Sequence, residues 1–230
     1  MQNFVDAFKF IGDNPGLMWE KTVDHLTLSG ASIGLALLLA LPLGVWLGHI
    51  HRGSFIAINA SNIGRALPSL AIISIMLGLL GVGFVNAMVA MVILAIPPIL
   101  TNSYVAIDQV DQDAVEAAKG MGMTPRQVLV RVELPLALPL IFAGIRTAAV
   151  YVIATAALAS IAGGQSLGDI ILNQATYRVA GVIAGAIAVA ALAFAAEGVF
   201  ALIQHAVTPR GLRKTEEGHL LGPEVQGAGA

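Results

Sequence analysis

Residues 66–107 read ALPSLAIISIMLGLLGVGFVNAMVAMVILAIPPILTNSYVAI, 42 consecutive positions without Asp, Glu, Lys or Arg. A helix crossing the hydrocarbon layer needs about 20 apolar residues at about 1.5 Å each. The run therefore holds two spans, with Gly81-Val82-Gly83 as the turn between them. Counting uncharged gaps outward gives the rest. Residues 25–51 supply 27 such positions, 147–168 supply 22, and 179–196 supply 18 that continue past Glu197 to Ile203. The predicted helices are 27–49, 57–80, 85–107, 136–161 and 180–204. The fold class is all-α integral membrane, with five transmembrane helices.

Composition agrees. Of 230 residues, 57% are hydrophobic and 11% charged, against roughly 45–50% and about 25% in soluble domains. A net charge of −2 lacks the concentrated basic face that nucleic acid requires, so nucleic acid is not a partner. With no Cys in the sequence, disulfides, thiolate nucleophiles and Cys-ligated metals are excluded.

Residues 1–24 form an extracytoplasmic N-terminal segment in this reading. Phe4, Phe8, Phe10, Ile11, Leu17 and Trp19 stand there among polar residues, which suits a further short helix lying on the membrane surface. The charges at Asp6, Asp13, Glu20 and Asp24, and the length of the run that follows, exclude a cleaved signal sequence. Lys and Arg set the orientation. One side carries Arg52, Lys119, Arg126, Arg131, Arg210, Arg213 and Lys214, the other Lys9, Lys21 and Arg178. The N-terminus is expected outside, and the 108–135 loop and C-terminus in the cytoplasm. The transmembrane domain spans 25–207, and a tail at 208–230 is expected to lack order.

The loop from Asp108 to Pro135 is the only long polar stretch between spans. Acidic Asp111 and Asp113 precede a short helix around Glu116-Ala117-Ala118, which ends at Gly120 and Gly122, where a left-handed cap costs little. Thr124, Pro125 and Gln127 then supply an N-cap, a tolerated first-turn proline and a capping box for a second helix. Its apolar residues Val128, Leu129 and Val132 are expected to face the membrane or a partner. Small side chains at Ala117 and Ala118 would let another surface approach the backbone. Taken alone, the same features fit an ordinary solvated loop as well.

Glu116-Ala117-Ala118, three residues, Gly122, nine residues, Val132, Glu133 and Leu134-Pro135 resembles the EAA signature of the membrane subunits of ATP-binding-cassette importers. Every spacing fits, with Val132 where that pattern has Ile. Asp24-His25-Leu26, Pro42-Leu43-Gly44, Leu67-Pro68-Ser69-Leu70-Ala71, Asn102, Gly120 to Thr124, Gly144 to Ala148 and Gly163 to Gly168 are similar to the osmoprotectant branch. That branch imports glycine betaine, choline, carnitine or proline. Thr101, where the branch commonly has Arg, and Gln165-Ser166, in a turn usually richer in glycine, depart from it.

The resemblance implies a type I ABC importer permease fold in the cytoplasmic membrane. The implied partners are a cytoplasmic ABC ATPase dimer, a second permease subunit (identical or a sister chain) and an extracytoplasmic substrate-binding protein. No Gly-x-x-x-x-Gly-Lys-Ser/Thr loop is present, so nucleotide chemistry is expected on another polypeptide, with no cofactor and no catalytic residue here. Glu116, Ala117, Ala118, Gly120, Gly122, Leu134 and Pro135 are the implied ATPase-coupling residues. An importer for another solute such as an amino acid is the alternative; a self-contained channel and an intramembrane enzyme are alternatives of other classes.

Other candidates come from the residues themselves. Pro97-Pro98 is expected to break the third span beside Asn102, Ser103 and Tyr104, either lining the translocation path or marking a simple kink. Ionisable groups inside spans are expensive. Arg65 is read as reaching the cytoplasmic interface. Arg146 and Glu197 fall at similar depths, about 15 Å after Leu136 and about 12 Å before His205 by helical rise, and form a candidate ion pair. Small residues at Gly30, Ala31, Ser32, Gly34, Gly181, Gly185 and Ala186 are read as packing positions. Gly163 to Arg178 is the outer loop expected to dock the binding protein or to act as a plain connector. His49 and His51 are read as interface residues.

Overall fold

The structure is a computed structural model describing residues 2–208, without the side chains of Ile58 and Arg65. The reading of Arg65 and the 209–230 portion of the tail, with its Arg210, Arg213 and Lys214, lie outside the described residues. The helices are α1 (Gln2–Asp13), α2 (Pro15–His49), α3 (Ser54–Ala66), α4 (Ser69–Leu80), α5 (Phe84–Asp108), α6 (Gln112–Gly120), α7 (Pro125–Val128), α8 (Leu134–Thr155), α9 (Gly168–Ile171) and α10 (Gln174–Val207). A π turn at Leu129–Glu133 joins α7 to α8, and a 3-10 segment at Ala156–Ala162 extends α8. Among the described residues four helical stretches are long and apolar enough to cross a membrane, or five if the bent pair α3–α4 is one span.

Three expected helices change shape. The first begins at Pro15 rather than near residue 27. At about 1.5 Å per residue the 35-residue helix outruns a core of about 30 Å, so its charged first turns project beyond the hydrocarbon. The second is bent by 95° between α3 and α4. Pro68 supplies no N–H, and its ring keeps Leu67 extended, at φ −78° and ψ 117°, because the residue before proline is pushed out of the helical region. The third is not broken at Pro97-Pro98, since α5 runs through both. Each proline removes one backbone donor, but both fit helical φ, and the Asn102 side-chain amide donates to the Pro98 carbonyl at 2.8 Å.

α5 is the central helix, packed against α2 on one side and α8 on the other. Its Met91, Leu94, Ala95 and Ile99 meet Ala36 and Ala40 of α2, Ile72 and Ile73 of α4, and Ala148 and Val152 of α8. Glycines bring these helices close. A Cβ on Gly44 would stand 2.7 Å from the Leu100 carbonyl oxygen, and one on Gly144 2.9 Å from that of Pro98. A Cβ on Gly30 or Gly34 would meet nothing within 4 Å and Ala31 is exposed, so these three do not pack as expected; Ser32, fully buried against α5, and Gly185, against Ile171, do.

Contacts sort the loops into two ends. At one end Gly83 N–H donates to the Ala162 carbonyl at 2.8 Å, Lys21 pairs with Asp169 at 2.9 Å, and Phe10 of α1 meets Tyr177 edge-on at 6.1 Å. The 163–178 stretch is no open loop there: Ser166, Leu167 and Ile170 are fully buried. Arg178, at φ 56°, kinks the start of α10. At the other end lie the turn after α2, the end of α5 and the segment from α6 to the π turn.

Candidate functional site

The polar segment folds as its caps dictate. Asp111 accepts the Asp113 N–H at 2.9 Å at the start of α6, and the chain reverses at Gly122, whose φ of +80° is the left-handed region that glycine enters without penalty. Thr124 and Gln127 make the reciprocal bonds of a capping box, 2.8 and 3.4 Å. Around α6 the sequence divides into two faces. Val115 and Ala118 turn inward, while Glu116, Ala117, Lys119 and Gly120 are exposed and Met121 is 72% exposed. Ala118 therefore packs the segment down instead of admitting a visitor; Ala117 lies on the open face.

The inward face joins a cluster with Ala106, Ile107, Val110, Val128, Ala137, Ile141 and Ile145. Val128, expected to face the membrane or a partner, is fully buried in this cluster, and Leu129 and Val132 pack against it. The apolar stripe of α7 is consumed within the chain because α5 and α8 converge beneath it. Leu134 and Pro135 are half-buried at the start of α8.

Two contacts at this end were not legible in the sequence. Glu133, 2% exposed, lies 2.6 Å from His49 Nδ1, and His51 Nδ1 lies 3.0 Å from Asp108. A buried carboxylate requires a partner, and the only signal for it was a Glu beside the Leu134-Pro135 pair.

A cavity of about 470 Å³ opens between α3, α5 and α8, lined by Ser61, Gly64, Leu94, Pro97, Pro98, Thr101, Asn102, Thr147 and Tyr151. Pro97, Pro98 and Asn102 reach it. Neither Ser103 nor Tyr104 lines it: Ser103 lies against Gly44 of α2, and Tyr104 packs with Leu47 and Ala57. Its polar walls are tied back: Thr101 donates to the Ala57 carbonyl at 3.0 Å and Thr147 to that of Ala143 at 2.9 Å. Next to Thr147 on α8, Arg146 Nε stands 3.2 Å from Glu197 and its guanidinium also donates to Gln204 at 3.3 Å. Both partners stay about two-fifths open, 36% and 44% by side chain.

Residues 32–214 match the family described as binding-protein-dependent transport system inner membrane component. The chain belongs to this family. It is thus a membrane-spanning permease of a transport system. It is 41% identical over 210 residues to the choline transport system permease protein OpuBB of Bacillus subtilis (strain 168), covering 91% of this chain and 97% of that one. It is 41% identical over 209 residues to the glycine betaine/carnitine/choline permease OpuCB of the same organism, covering 90% and 96%. It is 34% identical to the osmoprotectant import permease OsmW of Salmonella typhimurium, covering 91% and 100%. In fold, this permease matches a chain of the inward-facing MetNI methionine ABC transporter with a TM-score of 0.72 at 23% identity, covering 85% of this chain and 99% of that one. The all-helical type I importer permease fold follows.

Proposed function

We propose that this permease, paired with a second permease chain, forms the membrane path of an ATP-driven importer for a small osmoprotectant such as choline, glycine betaine, carnitine or proline. The observation that carries the reading is the EAA spacing itself, presented on an exposed helix face between the Asp111 cap and the Gly122 corner. Relatives 41% identical over nearly their whole length, named for choline, carnitine and glycine betaine, support the cargo class. A cytoplasmic ATPase dimer grips the α6 face at Glu116, Ala117 and Gly120, and Gly122 sets its angle. Closing that dimer moves both coupling segments and switches the spans between two states. The 163–178 end faces outward toward the binding protein, and the cavity at Pro97, Pro98 and Asn102 is part of the path.

The test is expression of the permease with its ATPase, binding protein and any sister permease in cells lacking osmoprotectant uptake. The complex is expected to copurify with the ATPase and to import labelled choline or glycine betaine. Glu116→Lys and Gly122→Val are expected to lose both. Association and uptake unaffected by either variant would overturn the coupling assignment, and uptake of an amino acid instead would overturn the cargo.

A further inference from the structure

The C-terminal end of α2 and the turn after it carry two histidines two residues apart, and each holds one end of the polar segment. His51 meets Asp108, the last residue of α5, just before the segment begins. His49 meets Glu133, the last residue of the π turn, just before α8. Bonds reaching from 51 to 108 and from 49 to 133 thus tie both ends of the segment to the end of a single span.

Backbone geometry gives a second, independent sign. α2 ends in a Schellman arrangement: Arg52 N–H donates to the Leu47 carbonyl at 3.1 Å and His51 N–H to that of Gly48 at 2.9 Å. The left-handed position of this motif usually carries glycine, yet here it is His51, at φ 49°. Gly53, nearby, also has positive φ. From its left-handed position the imidazole at 51 reaches Asp108. His49 sits in the last turn of α2, where the helix dipole favours positive charge, facing a Glu133 side chain only 3% exposed. Gly48 fixes the same helix end to α5, since a Cβ there would stand 2.8 Å from the Tyr104 carbonyl oxygen.

We propose that His49 and His51 form a two-pronged clasp that positions the coupling segment, so that displacement of α6 is handed to the first span instead of being absorbed by the loop. This rests on the coupling role proposed above for the segment. Without the clasp, the segment still binds its ATPase through the exposed α6 face, but only the apolar cluster that it shares with α5 and α8 holds it to the spans. The loss is one of coupling, seen as more ATP hydrolysed per solute imported.

The test uses the whole transporter, with ATPase, binding protein and partner permease, in proteoliposomes. His51→Gly relieves the left-handed backbone and removes one prong, so thermal stability is expected to hold or rise while ATP consumed per solute increases about threefold, within the usual range of coupling effects. The double variant His49→Leu with Glu133→Leu replaces a part-buried pair by apolar side chains, an exchange that is often neutral for stability; its ratio is expected to rise about tenfold. A wild-type ratio in His51→Gly, or a fall in hydrolysis and uptake by the same factor in both variants, overturns the clasp. Should the double variant fail to accumulate, His51→Gly decides alone. If the wild-type complex neither retains the ATPase nor couples hydrolysis to uptake, it is the coupling reading that falls.

Discussion

Arg146 and Glu197 show what a single pair can do on an apolar surface. Depth by helical rise was enough to match them, because both helices run between the same two interfaces; the structure adds the 3.2 Å contact and the Gln204 bond. In water so open a pair is worth at most about 1 kcal/mol, but an unpaired charge at mid-span costs on the order of 2.5–3.5 kcal/mol by insertion scales. Arg146→Glu or Glu197→Arg alone is expected to reduce uptake and membrane accumulation, and the two together to recover more than either. Equal defects in all three variants, measured by uptake per permease, would reject the pairing. Gly144 is a residue of another kind. A Cβ there meets the Pro98 carbonyl and the Asn102 side chain, so Gly144→Ala overpacks α5 against α8, typically by about 1–3 kcal/mol. A lower melting temperature in detergent is the expected result.

At the scale of elements, α6 and its corner were the most legible part of the chain. Caps are local: Asp111, Gly122, Thr124 and Gln127 act within a few positions of themselves, so reading them in order reproduces the segment. Gly120 and Gly122 separate backbone from bulk, since a Cβ at either position would meet nothing within 4 Å but only Gly122 has positive φ. Gly122→Val is expected to cost about 1–2 kcal/mol and to lose ATPase copurification, whereas Gly120→Ala, at a helical backbone position with open space, is expected to leave the melting temperature near wild type. Spans built around proline were less legible. Leu67-Pro68 and Pro97-Pro98 look alike as interruptions, yet the first bends the chain by 95° and the second is carried through. Pro97 packs against Gly64 of α3, and α5 is enclosed by α2 and α8, so its lost bonds are tolerated where neighbours hold the helix.

The whole molecule has two dissimilar ends, and the charge bias predicts which of them faces the cytoplasm. With no Cys in the sequence, single cysteines report sidedness cleanly. An impermeant maleimide added to right-side-out vesicles is expected to label Gln165→Cys and to miss Met121→Cys, both positions being exposed; the reverse pattern would invert the permease. Hydropathy gaps and cap residues settled the spans as apolar runs, the polar segment and its helix boundaries, since the cost of charge in hydrocarbon and of unpaired helix ends depends on position along the chain alone. The inward turn of Val128, the cavity beside Pro97, and the grip of His49 and His51 on Glu133 and Asp108 were decided only by tertiary structure. They join residues 44 to 84 positions apart or select which face of a helix is covered, and those energies exist only once α2, α3, α5 and α8 have packed together.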